Sequence, residues 1–213
     1  MIYVGLDISI TSPAICIMKD KVLFFTGYYR EDAKFTKAQV RQIEFLNTLD
    51  NVTIKVLDMR DKDVRYSNQE VLDYIDGIKS MTEIYNEVIK YTKGEEVKVG
   101  IEGFSYGSKG SSVSKLYGYQ FLLRHILYTN NIEWQIFAPT TVKKVAGHGR
   151  YKKQQMIESF LNNQKELDIL DNNEIKNAIN DNLTMVKPNS KYLKPFEDLC
   201  DAFWVAQALK EKL

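Results

Sequence analysis

Four acidic side chains occupy positions in the sequence where an isolated carboxylate is unfavourable. Asp7 and Glu102 each end an apolar run, and Asp198 and Asp201 lie three residues apart where an apolar C-terminal segment begins. A carboxylate that leaves water costs free energy unless a cation or hydrogen bonds compensate it. Carboxylates that converge from distant segments therefore suggest a shared cation. An all-oxygen ligand set favours Mg²⁺, with Mn²⁺ as a substitute.

Several carboxylates in one pocket would repel each other without cations. Two divalent ions about 3.5–4 Å apart would relieve that repulsion, activate a water and stabilise the leaving 3′-oxygen of a phosphodiester. Each acid alone also has a structural explanation: Asp7 can end a strand, Glu102 can lie in a surface turn, and Asp198 and Asp201 can complement a helix dipole. The joint pattern favours metal-dependent chemistry on phosphate.

The elements that would position these acids follow an ordered alternation. Three strands, predicted to form an antiparallel meander, precede alternating helices and strands. Pro195 suits the first turn of the last helix, and Thr140 or Thr141 suits the cap of a short one. The pattern predicts strands over 2–7, 12–18, 22–29, 52–59, 97–102 and 132–137, helices over 37–49, 69–91, 112–128, 142–145, 152–162, 168–181 and 195–213, and loops over 61–68, 105–112 and 185–194.

This order predicts an α/β fold, with a mixed sheet and helices on both faces. In such a sheet the ends of the first strand and of strand 97–102 can lie side by side, which would bring Asp7 next to Glu102. The 213 residues suit a single domain spanning 1–213, with an inserted segment at about 30–68.

Charge and composition narrow the class of protein. The net charge is only +1, but residues 103–157 contain eight Lys and Arg and one acid. Such a stretch can form a track for a polyanion, although it can also be a solvated surface. No apolar stretch approaches the roughly 20 residues that span a bilayer, and the N-terminus does not resemble a signal peptide. Cys16 and Cys200 lack metal-ligand spacing, so we expect reduced core residues and a cytoplasmic protein.

Basic side chains cluster around a glycine turn within that stretch. Lysines there would supply affinity for DNA that depends on salt and not on sequence. Further lysines flank glycines and serines after Glu102 and would line the same channel. The candidates for DNA contact are Lys143, Lys144, Arg150, Lys152 and Lys153 near the turn, with Lys109 and Lys115 beside them.

Five short motifs carry a family resemblance. In chain order they are Gly5-Leu6-Asp7 followed by Ser9, Ile101-Glu102-Gly103-Phe104, Ala138-Pro139-Thr140-Thr141-Val142-Lys143, Gly147-His148-Gly149 with Lys152-Lys153, and Asp198-Leu199-Cys200-Asp201-Ala202. In this order they resemble the motifs of RuvC-type Holliday junction resolvases over most of the chain.

The resemblance implies an RNase H-like fold with a five-stranded mixed sheet, a homodimer, and Mg²⁺-dependent cleavage of four-way DNA junctions by paired nicks. It implies that Asp7, Glu102, Asp198 and Asp201 bind the metal ions. Lys143 and Lys153 match the family's basic residues near the scissile phosphates, and we expect Lys153 to take part in catalysis.

The chain departs from the usual bacterial pattern in two enlarged segments, about 30–68 and 168–194, which fits a divergent, phage-encoded member. Phe104 or Tyr106 would supply the aromatic side chain that bacterial members insert near the junction centre. A broader nuclease for flaps, forks or RNA–DNA hybrids, or a non-catalytic DNA-binding relative, also fits the motifs. An actin-like ATPase does not fit, because the chain is too short and Ile8 and Ser9 follow Asp7.

Overall fold

A computed structural model of the chain describes residues 1–20, 22–57, 68–104, 111–163 and 194–212. The predicted helix at 168–181, and most of the predicted loops 61–68, 105–112 and 185–194, lie outside these residues. The strands are β1 (Ile2–Asp7), β2 (Ala14–Lys19), β3 (Val22–Arg30), β4 (Val52–Leu57), β5 (Val97–Glu102) and β6 (Glu133–Phe137). The helices are α1 (Lys37–Leu46), α2 (Gln69–Thr92), α3 (Ser111–Thr129), α4 (Pro139–Val145), α5 (Lys153–Asn162) and α6 (Phe196–Lys212).

The strands form one mixed sheet in the order β4-β3-β2-β1-β5-β6. The meander β1–β2–β3 is antiparallel, whereas β5 runs parallel to β1 and β6 runs parallel to β5. The predicted α/β class and mixed sheet are therefore confirmed, with helices on both faces.

The sheet has six strands instead of the five expected from the resemblance. The additional strand, β4, comes from the inserted segment and pairs in parallel with β3 at the edge of the sheet. α1 connects the two strands, because a parallel neighbour requires a crossover and cannot be reached by a tight turn. The Asn47 side chain after α1 accepts a hydrogen bond from the Ile54 amide at 2.7 Å.

A buried carboxylate joins this added strand to the rest of the fold. Glu87 on α2 is 4% exposed and accepts hydrogen bonds from Lys55 on β4 at 2.6 Å and from Thr26 on β3 at 3.1 Å. Charge-assisted hydrogen bonds of this kind are stronger than neutral ones. They therefore stabilise the edge strand against its neighbour.

Two apolar cores lie on opposite faces of the sheet. One face packs against α2 and α3 through residues such as Met81, Ile84 and Leu123. The other packs against α4, α5 and α6. α6 is buried on almost every side from Phe196 to Leu209, and the predicted apolar stripe lies within this core.

α6 lies unusually close to the sheet where it crosses β1. A Cβ atom added to Gly5 would overlap the backbone of Ala202 and Ala206 on α6. Small residues on both sides therefore let helix and strand backbones meet, and this contact sets the height of α6 above the sheet.

The predicted starts of α4 and α6 differ from the structure by three residues and by one residue. α4 begins at Pro139, after Ala138 as N-cap, so neither Thr140 nor Thr141 caps it. Proline fits this first helical position because its missing amide needs no partner there. Pro195 precedes α6 instead of lying within its first turn, and its carbonyl accepts the hydrogen bond from the Leu199 amide at 3.1 Å.

Cys16 and Cys200 are both buried, as predicted for core residues. Among the described residues no helix has the length and apolar character needed to cross a membrane.

Candidate metal and nucleic-acid site

Asp7 and Glu102 end adjacent parallel strands. Leu6 on β1 is in register with Ile101 on β5. The next residues, Asp7 and Glu102, therefore lie side by side at the C-terminal ends of these two strands. Neighbouring strands lie about 4.8 Å apart. The Gly103 amide then donates to the Phe137 carbonyl at 2.7 Å, which fixes the backbone just beyond Glu102. The predicted adjacency of the two strand ends is confirmed.

The first turns of α6 bring Asp198 and Asp201 to the same C-terminal strand ends. The close contact of α6 with Gly5 holds the helix directly over β1. Asp198 is 2% exposed, and Asp201 lies nearly one turn later on the same side of the helix. Both aspartates interact electrostatically with Asp7. All four predicted acids therefore lie in one cluster around Asp7, called the acid pocket below.

The pKa values of the four carboxyl groups reflect this crowding. Burial raises the pKa of Asp7 well above its usual range, and the charges of Glu102, Asp198 and Asp201 raise it further. Burial, together with Asp201, raises the pKa of Glu102 to about 7. Burial also raises the pKa values of Asp198 and of Asp201, the latter to about 6. Carboxyl pKa values that burial and neighbouring carboxylates raise in this way are typical of functional sites.

Two lysines partly neutralise the pocket. The Lys194 ammonium donates to Ser12 Oγ at 2.9 Å and lies 3.2 Å from Asp198 Oδ1. The Lys153 ammonium forms an ion pair with Glu197 and lies 3.7 Å from Asp201 Oδ2. Burial lowers the pKa of Lys153, but its acidic partners outweigh that effect and raise it overall.

The four acids have the ligand chemistry of a divalent-cation site, but their side chains do not surround a common point. Four carboxylates supply the oxygen ligands that Mg²⁺ and Mn²⁺ prefer, and the buried Asp198 Oδ2 atom has no hydrogen-bond partner. Within the described part of the chain, however, no three His, Cys, Asp or Glu side chains stand so that they could hold one ion together. Binding would therefore require side-chain rearrangement around the ion.

Two of the predicted DNA contacts lie close to the acids, and three others are exposed on neighbouring residues of the chain. Lys143 on α4 is half-buried and, like Lys153, lowers the pKa of Glu102 through its charge, so both cations lie near the acids. Lys144, Arg150 and Lys152 are exposed. Together they form a basic surface along α4 and the turn before α5.

Lys115 has a different environment from the one expected. Its ammonium lies 2.7 Å from Asp73 and 3.9 Å from Asp76, both on α2, and its side chain is only 18% exposed. These partners neutralise the charge that a phosphate would need. The structure therefore gives Lys115 a role in joining α3 to α2 and does not support a DNA contact there.

Phe104 lies two residues beyond Glu102 and packs against Tyr117 on α3, with ring centroids 3.7 Å apart. The Arg124 guanidinium lies 5.6 Å from the Phe104 ring centroid. Phe104 is thus held beside the pocket by α3 and is half-buried. Tyr106 and Lys109, the other candidates from this segment, lie outside the described residues.

Four residues near the acids were not selected from the sequence: Ser12, Gln120, Lys194 and Glu197. The buried Gln120 donates to the backbone carbonyl of Glu102 at 3.0 Å, and so positions that strand end from α3. Helical spacing carries a signal for Glu197, since it precedes Asp201 by one turn of α6, whereas Lys194 lies before the helix. Ser12 and Gln120 carry no such signal, because the fold alone brings them to the site.

Solved structures that align with this chain include a RuvC structure from Thermus thermophilus, at 13% identity and a TM-score of 0.46 over 98% of this chain and 92% of that one. T. thermophilus RuvC in complex with a Holliday junction substrate gives 9% identity and a TM-score of 0.46, covering 98% and 91% of the two chains. The yeast mitochondrial Holliday junction resolvase Ydc2 gives 10% identity and a TM-score of 0.46, covering 96% and 75%.

No protein-family model matches the chain, and no curated protein matches it. At such low identities the functional inference depends on the geometry of the four acids themselves.

Proposed function

We propose that this chain is a divalent-metal-dependent endonuclease that hydrolyses phosphodiester bonds in branched DNA, four-way junctions in particular. The observation that carries the proposal is the convergence of Glu102, Asp198 and Asp201 around Asp7, where the buried Asp198 has an oxygen without a hydrogen-bond partner. Carboxylates of this number can stay ionised together only when cations compensate their charge.

In this proposal Mg²⁺ ions held by the four acids would supply the Lewis acidity that activates a water and stabilises the leaving oxygen. The strand-borne acids, Asp7 and Glu102, form the base of the pocket. Asp198 and Asp201 approach from α6. Lys153 lies beside Asp201, where its ammonium group can stabilise negative charge on a phosphate in the transition state.

The exposed basic surface next to the pocket supports a nucleic-acid substrate. Lys144, Arg150 and Lys152 can contact phosphates without reading a sequence, and Lys143 lies closer to the acids. Selectivity for four-way junctions is proposed from the ordered motifs that the chain shares with resolvases. Because two opposing strands of a junction must be cut, the active form is proposed to be a symmetric homodimer.

The test is a cleavage assay with a synthetic four-way junction, with and without MgCl₂. Asp7→Asn and Glu102→Gln should each abolish cleavage while the protein still binds the junction, because the charge that holds the metal is lost and the basic surface remains. Matched controls are Asp20→Asn and Glu158→Gln, at exposed positions away from the pocket.

Intact cleavage in both Asp7→Asn and Glu102→Gln would show that the site is wrongly assigned. Flaps, replication forks, RNA–DNA hybrids and linear duplex, tested in parallel, would separate a junction resolvase from a broader nuclease. A protein that binds junctions but cuts no substrate with Mg²⁺ or Mn²⁺ would be a non-catalytic binding protein.

A further inference from the structure

Lys194 reaches into the acid pocket from just before α6. Its ammonium group lies 3.2 Å from Asp198 Oδ1 and 2.9 Å from Ser12 Oγ. Lys194 lies two residues before α6 and Asp198 lies in the first turn of that helix, so the start of α6 brings the carboxylate next to the ammonium group. The lysine therefore contacts the most buried carboxylate of the pocket.

The serine partner is itself held in position. The Ser12 amide donates to Ser9 Oγ at 2.8 Å, which fixes the turn between β1 and β2. The two partners of the ammonium thus come from separate elements, the β1–β2 turn and α6. This arrangement is a built site for a cation and not a chance surface contact.

The two oxygens of Asp198 differ in their environment. Oδ1 faces the Lys194 ammonium, whereas Oδ2 is buried without a hydrogen-bond partner. A single ammonium therefore satisfies only half of this carboxylate. A divalent ion carries twice the charge and can bind oxygens of several acids at once.

We propose that Lys194 is an internal counter-ion that occupies the pocket when metal is absent and competes with a divalent ion for Asp198. The inference depends on the metal-binding function proposed above. It adds that metal binding must displace the ammonium group. The Lys194 side chain is 44% exposed, so it can move into water without leaving a buried charge behind.

The contacts of Lys153 show why Lys194, and not Lys153, is the lysine that competes with the metal ion. Lys153 pairs with Glu197 as well as with Asp201, and its contact with Asp201 is longer, at 3.7 Å. When metal binds Asp201, Glu197 remains as a partner for Lys153. Lys194 forms its ion pair with Asp198, and its charge also acts on Asp7 and Asp201, so all the acids with which it interacts belong to the proposed metal site. Lys194 therefore gives up its ion pair when metal takes Asp198.

The test measures metal binding directly by isothermal titration calorimetry with MnCl₂, in the absence of DNA. Lys194→Met removes the charge and keeps the length of the side chain, while Lys194→Gln is a second neutral variant. Lys194→Arg keeps the charge. Lys98→Met is the matched control, because Lys98 lies 3.1 Å from Glu133 at the N-terminal ends of β5 and β6, opposite the acids.

Removing a unit charge next to a divalent ion should lower the dissociation constant for Mn²⁺ by about tenfold in both neutral variants. Lys194→Arg and Lys98→Met should bind Mn²⁺ like the wild type. The thermal midpoint gives a second readout. Without metal the neutral variants should unfold at a lower temperature than the wild type, and added Mn²⁺ should raise their midpoint by more.

If the wild type binds Mn²⁺ and neither neutral variant binds it more tightly, the inference about Lys194 is overturned and the proposed nuclease site stands. If neither the wild type nor a folded neutral variant binds Mn²⁺, the metal site itself is overturned, and the inference about Lys194 with it.

Discussion

Lys153 on α5 forms an ion pair with Glu197 on α6, one helical turn before Asp201. A carboxylate that is not among the four converging acids therefore holds the cation that lies beside them. Since Lys153 also contacts Asp201 at 3.7 Å, Glu197 determines how close the ammonium group stays to the site.

This contact predicts a graded loss of activity. Lys153→Met should reduce the single-turnover cleavage rate by about a hundredfold, the usual scale for losing one group that stabilises transition-state charge. Glu197→Gln should reduce it by a smaller factor, because the ammonium group remains but loses its anchor. Glu158→Gln on the exposed side of α5 is the matched control and should cleave at the wild-type rate. A larger loss in Glu197→Gln than in Lys153→Met would contradict this role.

The contact between β1 and α6 predicts that alanine destabilises the protein at Gly5 but not at Gly118. Gly5→Ala should destabilise the protein by about 1–3 kcal/mol, because its new methyl group would overlap the α6 backbone. Gly118→Ala on α3 is the control, since a Cβ there meets nothing within 4 Å and alanine favours the helix by about 1 kcal/mol. Denaturant unfolding measures both. Equal effects in the two variants would show that helix and strand do not pack this closely.

Glu87 predicts a pH dependence of stability outside the site. Burial raises its pKa, but the hydrogen bond and charge of Lys55, the charge of Lys90 and the hydrogen bond from Thr26 together lower it more, so its pKa in the folded protein lies below the unfolded value. The ionised group therefore contributes stability that is present above about pH 4.5 and is lost as the pH falls through the folded pKa. Glu87→Gln should lower stability at neutral pH and flatten its decline below about pH 5.

Glu83, one helical turn before Glu87 on α2, supplies the control for that experiment. Glu83 is 46% exposed and lies 3.9 Å from the same lysine, Lys55. Glu83→Gln should change the free energy of unfolding by less than about 1 kcal/mol, as expected for an exposed pair. If the two glutamine variants show the same pH profile of chemical unfolding, Glu87 is not the group responsible.

Lys152 and Lys115 should contribute differently to the salt dependence of junction binding. Lys152→Met should weaken junction binding at all sequences and reduce the slope of log affinity against log salt by about one, as expected for a phosphate contact. Lys115→Met should leave that slope unchanged and lower stability by about 1–2 kcal/mol, because it removes the partner of Asp73 and Asp76. A reduced slope in Lys115→Met would show that Lys115 contacts DNA.

The sequence predicts the strand-borne half of the site well. Asp7 and Glu102 each follow a continuous apolar run, and such runs mark buried parallel strands whose ends meet at one edge. Asp198 and Asp201 follow from helical spacing. These signals are local, so they can be found without knowing the fold.

Contacts that depend on the packing of distant elements could not be predicted. The lysine at position 115 has glycines and serines nearby in sequence, but its partners lie on α2, more than 35 residues earlier. Gln120 reaches the Glu102 carbonyl only because α3 packs behind β5. The place of β4 in the sheet likewise depends on the open edge of β3, which no local pattern in residues 52–59 specifies.

The pairing of β1 with β5 divides the site into two mechanically different halves. The spacing between Asp7 and Glu102 follows from the backbone ladder, which can stretch very little. Asp198 and Asp201 belong to a helix whose distance from the sheet is set by side-chain packing, as at Gly5, Ala202 and Ala206. In the proposed metal site, attempts to change the preferred ion radius should therefore begin with the residues that pack α6 against the sheet.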